Sequence, residues 1–136
     1  MVRPIVHDAL LLSRPSQPAG PEDLGVGQDL LDTLQAHAAE CVGMAANMIG
    51  VCKRIIVYDA GDGPVLLFNP KILRRSGPYE TQESCLSLAG SRPARRWQTI
   101  VLFAQDAAFR RRTITLQGFA AQIVQHELDH CDGVLI

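Results

Sequence analysis

The sequence predicts an α+β fold in which antiparallel strands wrap around a buried C-terminal helix carrying His126 and His130. Three observations predict it. Short β-branched or alternating apolar runs fill the middle of the chain, an amphipathic helical pattern precedes them, and the last helical run is apolar on more than one face. With 136 residues and 47% hydrophobic content, the chain can build one core and is short for two. A single domain over 1–136 is expected.

The elements follow in order. Pro4, Pro15, Pro18 and Gly20 punctuate the first twenty or so residues, which read as an extended arm rather than a helix. From about Pro21 the apolar residues Leu24, Leu31, Leu34 and Ala38 recur at helical spacings, so an amphipathic helix is expected to end near Glu40. Small and apolar residues from Cys41 to Gly50 read as a tightly packed loop or a binding wall. Arg54 to Tyr58 and Val65 to Phe68 flank the turn signals Asp59 to Pro64 and predict a hairpin. An extended piece from Lys71 to Arg75 leads through Ser76-Gly77-Pro78 to Thr81–Ser87, and a loop is expected around Gly90 and Pro93. Thr99 to Phe103 and Arg112 to Leu116 predict two further antiparallel strands. Gly118 opens the final helix, Phe119 to Cys131, and Gly133 is its expected terminator.

A formal net charge of −1 provides no global attraction to nucleic acid or to an anionic bilayer, so neither DNA nor membrane is an expected partner. No apolar run reaches the roughly 18 residues that a spanning helix needs, and no basic segment leads into a secretory core, so a cytoplasmic location is expected. In that compartment the four cysteines, Cys41, Cys52, Cys85 and Cys131, are expected as thiols.

The chemistry is concentrated in Gln125-His126-Glu127-Leu128-Asp129-His130. Residues four apart on a helix share a face, so His126 and His130 can offer two imidazole nitrogens to one metal ion. Glu127 then lies close to the metal without ligating it, placed to take a proton from water and hand it to a leaving amine. A catalytic site of this kind wants a third protein ligand. Five residues alone leave a solvated or satisfied helix face as the alternative.

Gly43-Met44-Ala45-Ala46, Glu83-Ser84-Cys85-Leu86-Ser87 and the Gln125–His130 segment together resemble, in this order, the three signature motifs of peptide deformylases, over about residues 41 to 133. The resemblance implies a metal held by Cys85, His126 and His130, with Glu127 as acid/base, in an enzyme that removes formate from the N-formyl-methionine of new bacterial proteins. It implies Fe²⁺ as the ion in the cell, with Zn²⁺ or Ni²⁺ able to occupy the same site. The Leu86 N–H and a Gln side chain of the first motif are implied as donors to the oxyanion. Val42, Gly43, Phe119 and Ile123 are expected to line the methionine pocket, with ordinary core packing as the alternative for each. Glu83 is expected to pair with Arg92 or Arg96 if it is not a solvated surface charge, and Asp129 to orient a ligand or form an ion pair.

Two departures from the family pattern stand out. Met48 occupies the position of the expected Gln, and a thioether cannot donate a hydrogen bond; Asn47 is the alternative source of an amide. The sequence given stops at Ile136, soon after His130, so ribosome docking through a C-terminal helix is not expected. The clusters Arg74-Arg75, Arg92-Arg95-Arg96 and Arg110-Arg111-Arg112 read as a solvated Arg-rich surface, with contact to ribosomal RNA as the alternative. The expected partners are N-formyl-methionyl peptides or nascent chains. The missing Gln leaves two alternatives beside a slow deformylase: a protein that binds formyl-peptide ends without useful turnover, and a purely structural metal.

Overall fold

In a computed structural model describing residues 1–136, five strands form one antiparallel sheet. They are β1 (Gly43–Ala45), β2 (Ile55–Tyr58), β3 (Val65–Cys85), β4 (Leu88–Gln105) and β5 (Arg111–Gln117), and they lie side by side in chain order. The helices are α1 (Ala9–Leu12), α2 (Leu24–Ala36) and α3 (Gly118–Cys131), with short 3₁₀ turns at Pro21–Asp23 and Ala46–Ile49. No helix is long and apolar enough to cross a membrane.

The predicted hairpin forms with Ile55 opposite Phe68 and Tyr58 opposite Val65. The piece expected as Lys71–Arg75 and the first five residues of Thr81–Ser87 are parts of one long strand, β3, with Leu86 and Ser87 in the turn that follows; its register slips between Phe68 and Lys71, between Ile72 and Arg74 and between Ser84 and Cys85. The loop expected at Gly90 and Pro93 is instead the first half of β4, paired residue by residue with β3 from Ser91 opposite Ser84 onward. Pro93 is tolerated because β5 reaches β4 only from Thr99 to Gln105, so Pro93 lies where β4 is an edge. The arm contains a helical turn that its prolines concealed: Asp8 caps α1 by accepting from the Leu10 N–H at 3.0 Å.

Nine of the fourteen residues of α3 are buried, among them Ala121, Val124 and Leu128, which pack on Ile56, Ile100 and Leu102 of the sheet. This is the predicted helix enclosed by strands. A second cluster packs Leu30 and Leu34 of α2 against Met44, Val57 and Phe68. Gly133 ends the helix region with φ +76°, a left-handed conformation that glycine adopts without steric cost.

Candidate active site

Cys85 is the last residue of β3 and faces Leu88 across a turn made of Leu86 and Ser87. The first residue of a two-residue hairpin turn lies outside the strand ladder. Its N–H is therefore free: the Leu86 amide has no backbone partner and is available to an incoming acceptor.

The final helix brings His126 and His130 to this turn. His130 Nε2 lies 3.3 Å from Cys85 Sγ and 3.2 Å from His126 Nε2, and one ligand atom from each of the three residues falls within 4.8 Å of the others. A thiol and two imidazole nitrogens converging at this range fit the donor set of a divalent ion with a position left open. Burial, and then the charge of His126, push His130 down to about 3, whereas on His126 hydrogen bonds to Cys85 and Glu83 outweigh burial and raise the ring to about 10. His130 is thus held neutral, the form in which an imidazole ligates a metal, whereas His126 must release its proton to do so.

Glu83 sets the orientation of His126. Its Oε1 is 2.8 Å from His126 Nδ1, so the ring points Nε2 at Cys85 and His130. Arg96 Nε and Nη2 donate to Glu83 at 2.7 to 3.2 Å, and Arg96 Nη1 donates to Asp129 Oδ2 at 2.8 Å. Burial alone would raise the Glu83 carboxyl, but hydrogen bonds from His126, Arg96 and Gln122 outweigh it and hold it at about 2. Arg96 is therefore the partner, not Arg92, and the pair is buried rather than solvated. Asp129 contacts Arg96 rather than a ligand ring.

Glu127 is 4% exposed and its Oε1 has no partner within the protein. Burial pushes its carboxyl up to about 7, so it changes protonation near neutral pH. Gly43 sits against it: a Cβ there would lie 2.7 Å from Glu127 Oε2 and 2.6 Å from Ile123 Cγ2. Only glycine lets the backbone come this close.

A cavity of about 360 Å³ opens in front of these groups, with Cys85, Leu86 and Glu127 in its wall. All four predicted pocket residues line it: Val42, Gly43, Ile123 and the 57% exposed Phe119. Met48 also faces it. Asn47 does not supply the missing amide, because its Nδ2 donates to the His130 carbonyl at 2.9 Å. Both residues lie in a 3₁₀ turn rather than in an extended stretch.

Sequence reasoning missed Gln122, which donates to Glu83 Oε2 at 2.9 Å and is 3.3 Å from the Tyr79 hydroxyl. It stands four residues before His126, so the helical spacing that found the histidines would have placed it on the same face. The arginine clusters are partly engaged: Arg96 is buried, and Arg110 and Arg112 form ion pairs with Asp106.

Comparisons with known proteins come to the same place. The family profile described as Polypeptide deformylase matches residues 5–136. A peptide deformylase of Clostridium beijerinckii is 48% identical over 136 residues, 100% of each chain. One from Dictyoglomus thermophilum is 40% identical over 112 residues, 82% of this chain and 72% of that one. Among solved structures, the peptide deformylase from Thermus thermophilus aligns with a TM-score of 0.86 and 33% identity, covering 98% of this chain and 83% of that one. A Met-ala-ser-bound class I type b peptide deformylase from Acinetobacter baumannii aligns at 0.88 with 25% identity, covering 99% and 97%.

Proposed function

The chain belongs to the peptide deformylase family, and on that basis we propose that its cavity receives the formyl-methionyl end of new bacterial polypeptides and hydrolyses the formyl amide, at a rate limited by Met48. The observation that carries this reading is the convergence of Cys85, His126 and His130 within 4.8 Å beside the unpartnered Glu127 Oε1.

Cys85, His126 and His130 would hold the ion, with Fe²⁺ as the ion proposed for the cell and Zn²⁺ or Ni²⁺ able to replace it. When bound, such an ion acidifies water and polarises a carbonyl oxygen. Glu127 takes the proton of the attacking water and returns it to the departing methionyl nitrogen. Its carboxyl, at about 7, is matched to both tasks at neutral pH.

The formyl oxygen becomes an oxyanion as water adds. The Leu86 N–H, free of any backbone partner, donates to it. Met48 faces the same cavity and donates nothing, so one stabilising hydrogen bond is missing; the loss of such a donor costs about 2.7 to 4 kcal/mol in the barrier. The methionine side chain of the substrate lies among Val42, Phe119 and Ile123, and Gly43, having no side chain, lets Glu127 and Ile123 pack against the backbone at the pocket wall. Glu83 and Arg96 are positioning residues that act through His126.

Metal analysis of anaerobically purified protein tests this assignment. About one divalent ion per chain is expected, with retention weakened in each of Cys85→Ser, His126→Ala and His130→Ala. Undiminished occupancy in all three variants would contradict it.

A further inference from the structure

A second groove of about 740 Å³ adjoins the cavity and shares Cys41, Val42 and Phe119 with it. Leu31 and Ala38 form one wall and Pro64, from the connection between β2 and β3, forms part of the other. Its volume falls within the range of about 300 to 1,000 Å³ typical of ligand pockets. At the saddle between groove and cavity, Val42 and Phe119 expose 41% and 57% of their surface, although large apolar side chains are more often covered.

We propose that this groove binds apolar residues following the third residue of the substrate chain, an inference that rests on the deformylase reading of the adjoining cavity. Burial bounds the directions open to the bound chain. Every residue from Gly43 to Ile49 is buried, whereas Glu40 and Val42 are exposed. Gln82 and Ser84 in the cavity lining are exposed as well; the opening past Glu40 and Val42 is the one that leads to Ala38 and Leu31. Charge narrows the occupant further: the charged residues that line the groove are Asp32 and Asp59, with no lysine or arginine among the lining. A polyanion such as RNA is disfavoured there, and a neutral or basic apolar peptide segment is favoured.

The test uses the Fe²⁺-loaded chain, prepared anaerobically, and formyl-Met-Ala-Ser extended by Leu-Phe-Leu, by Ser-Gly-Ser or by Asp-Glu-Asp. The apolar extension is expected to raise kcat/KM about tenfold over Ser-Gly-Ser, and the acidic one to lower it. Ala38→Glu and Leu31→Gln are expected to abolish the apolar advantage while leaving turnover of formyl-Met-Ala-Ser within about twofold. Ala38 is exposed, so its variant should fold. Equal rates for the apolar and Ser-Gly-Ser extensions would overturn the proposal, as would an advantage undiminished in both variants. A concentration-dependent dimer broken by Ala38→Glu, with no extension effect, would assign the groove to a second copy and also overturn it. If formyl-Met-Ala-Ser itself is not deformylated, the functional reading fails separately. Fluorescence anisotropy of the same peptides, labelled at the C-terminus, then reads the groove, with tighter binding of the apolar extension expected and equal binding overturning the proposal.

Discussion

The side chain of Gln125 bonds to both backbone polar groups of Trp97: Oε1 accepts from the Trp97 N–H at 2.9 Å, and Nε2 donates to the Trp97 carbonyl at 2.9 Å. β5 pairs with β4 only from Thr99 to Gln105, so at Trp97 the amide of Gln125 takes the place of a neighbouring strand. The contact anchors α3 to the sheet at the residue immediately before His126. It links sheet pairing directly to the placement of the His126 ring.

Replacing Gln125 with Leu should strand both Trp97 groups and lower stability by about 1 to 3 kcal/mol. Trp97 is the single tryptophan of the chain, so urea unfolding followed by its fluorescence reports on this spot. Gln125→Glu should recover only part of the loss, since a carboxylate accepts from the N–H but donates nothing to the carbonyl. An unchanged midpoint in Gln125→Leu would show that the contact contributes nothing.

Glu83 makes stability depend on acid. Its carboxyl lies at about 2 in the fold against an ordinary value of 4.5. The folded pKa is lowered, so the stabilisation is present above pH 4.5 and is lost as pH falls through about 2. Its size is on the order of 3 kcal/mol. Glu83→Gln should therefore be less stable than the parent at pH 7, with the difference closing between about pH 4.5 and 2. Denaturant titrations at several pH values test this, and a difference constant across that range contradicts it.

Glu127 carries the opposite sign. Burial raises its carboxyl from 4.5 to about 7, so the fold favours the neutral acid and is weakened as pH rises from 4.5 through 7. In the presence of a chelator, Glu127→Gln should match the parent near pH 4.5 and exceed its stability at pH 8 by up to about 3 kcal/mol. A stability gain that does not grow with pH would mean that the buried carboxylate carries no such cost.

Met48 is 1% exposed and faces the cavity, so both of its roles can be measured at once. Met48→Gln should raise kcat about ten- to a thousandfold with a smaller change in KM, because the added hydrogen bond strengthens as charge develops on the formyl oxygen. The gain should vanish when combined with Glu127→Ala. Lower stability with no gain in rate would identify Met48 as core packing alone, since burying an unpartnered amide costs about 1 to 3 kcal/mol.

The site was legible in the sequence where chemistry is tied to short-range spacing. His126, Glu127 and His130 are fixed relative to one another by the helix itself, and Phe119 and Ile123 by the same periodicity. Cys85 needed the family resemblance, because only the tertiary structure brings the end of β3 to α3. The long pairing of β3 with β4 was hidden by Gly77, Gly90 and Pro93: two of these adopt left-handed conformations, Gly77 at φ +73° within the ladder and Gly90 at +76° where the register shifts opposite Ser84 and Cys85, and local turn signals predict breaks there. The choice of Arg96 over Arg92 was not legible because the two are four apart on β4 and share a face; it is decided by α3, whose Asp129 binds Arg96. Arg96 is buried on the inner face, whereas Arg92, the residue registered opposite Glu83, is not its partner.

Formate release from formyl-Met-Ala-Ser by the anaerobic, Fe²⁺-loaded chain, compared with Glu127→Ala loaded to the same metal content, tests the central claim most directly. Measurable release by the parent is expected, with a loss of about a hundredfold or more in the variant and peptide binding retained. Equal rates in the two proteins would contradict the role of Glu127, and peptide binding without release by either would contradict deformylation itself.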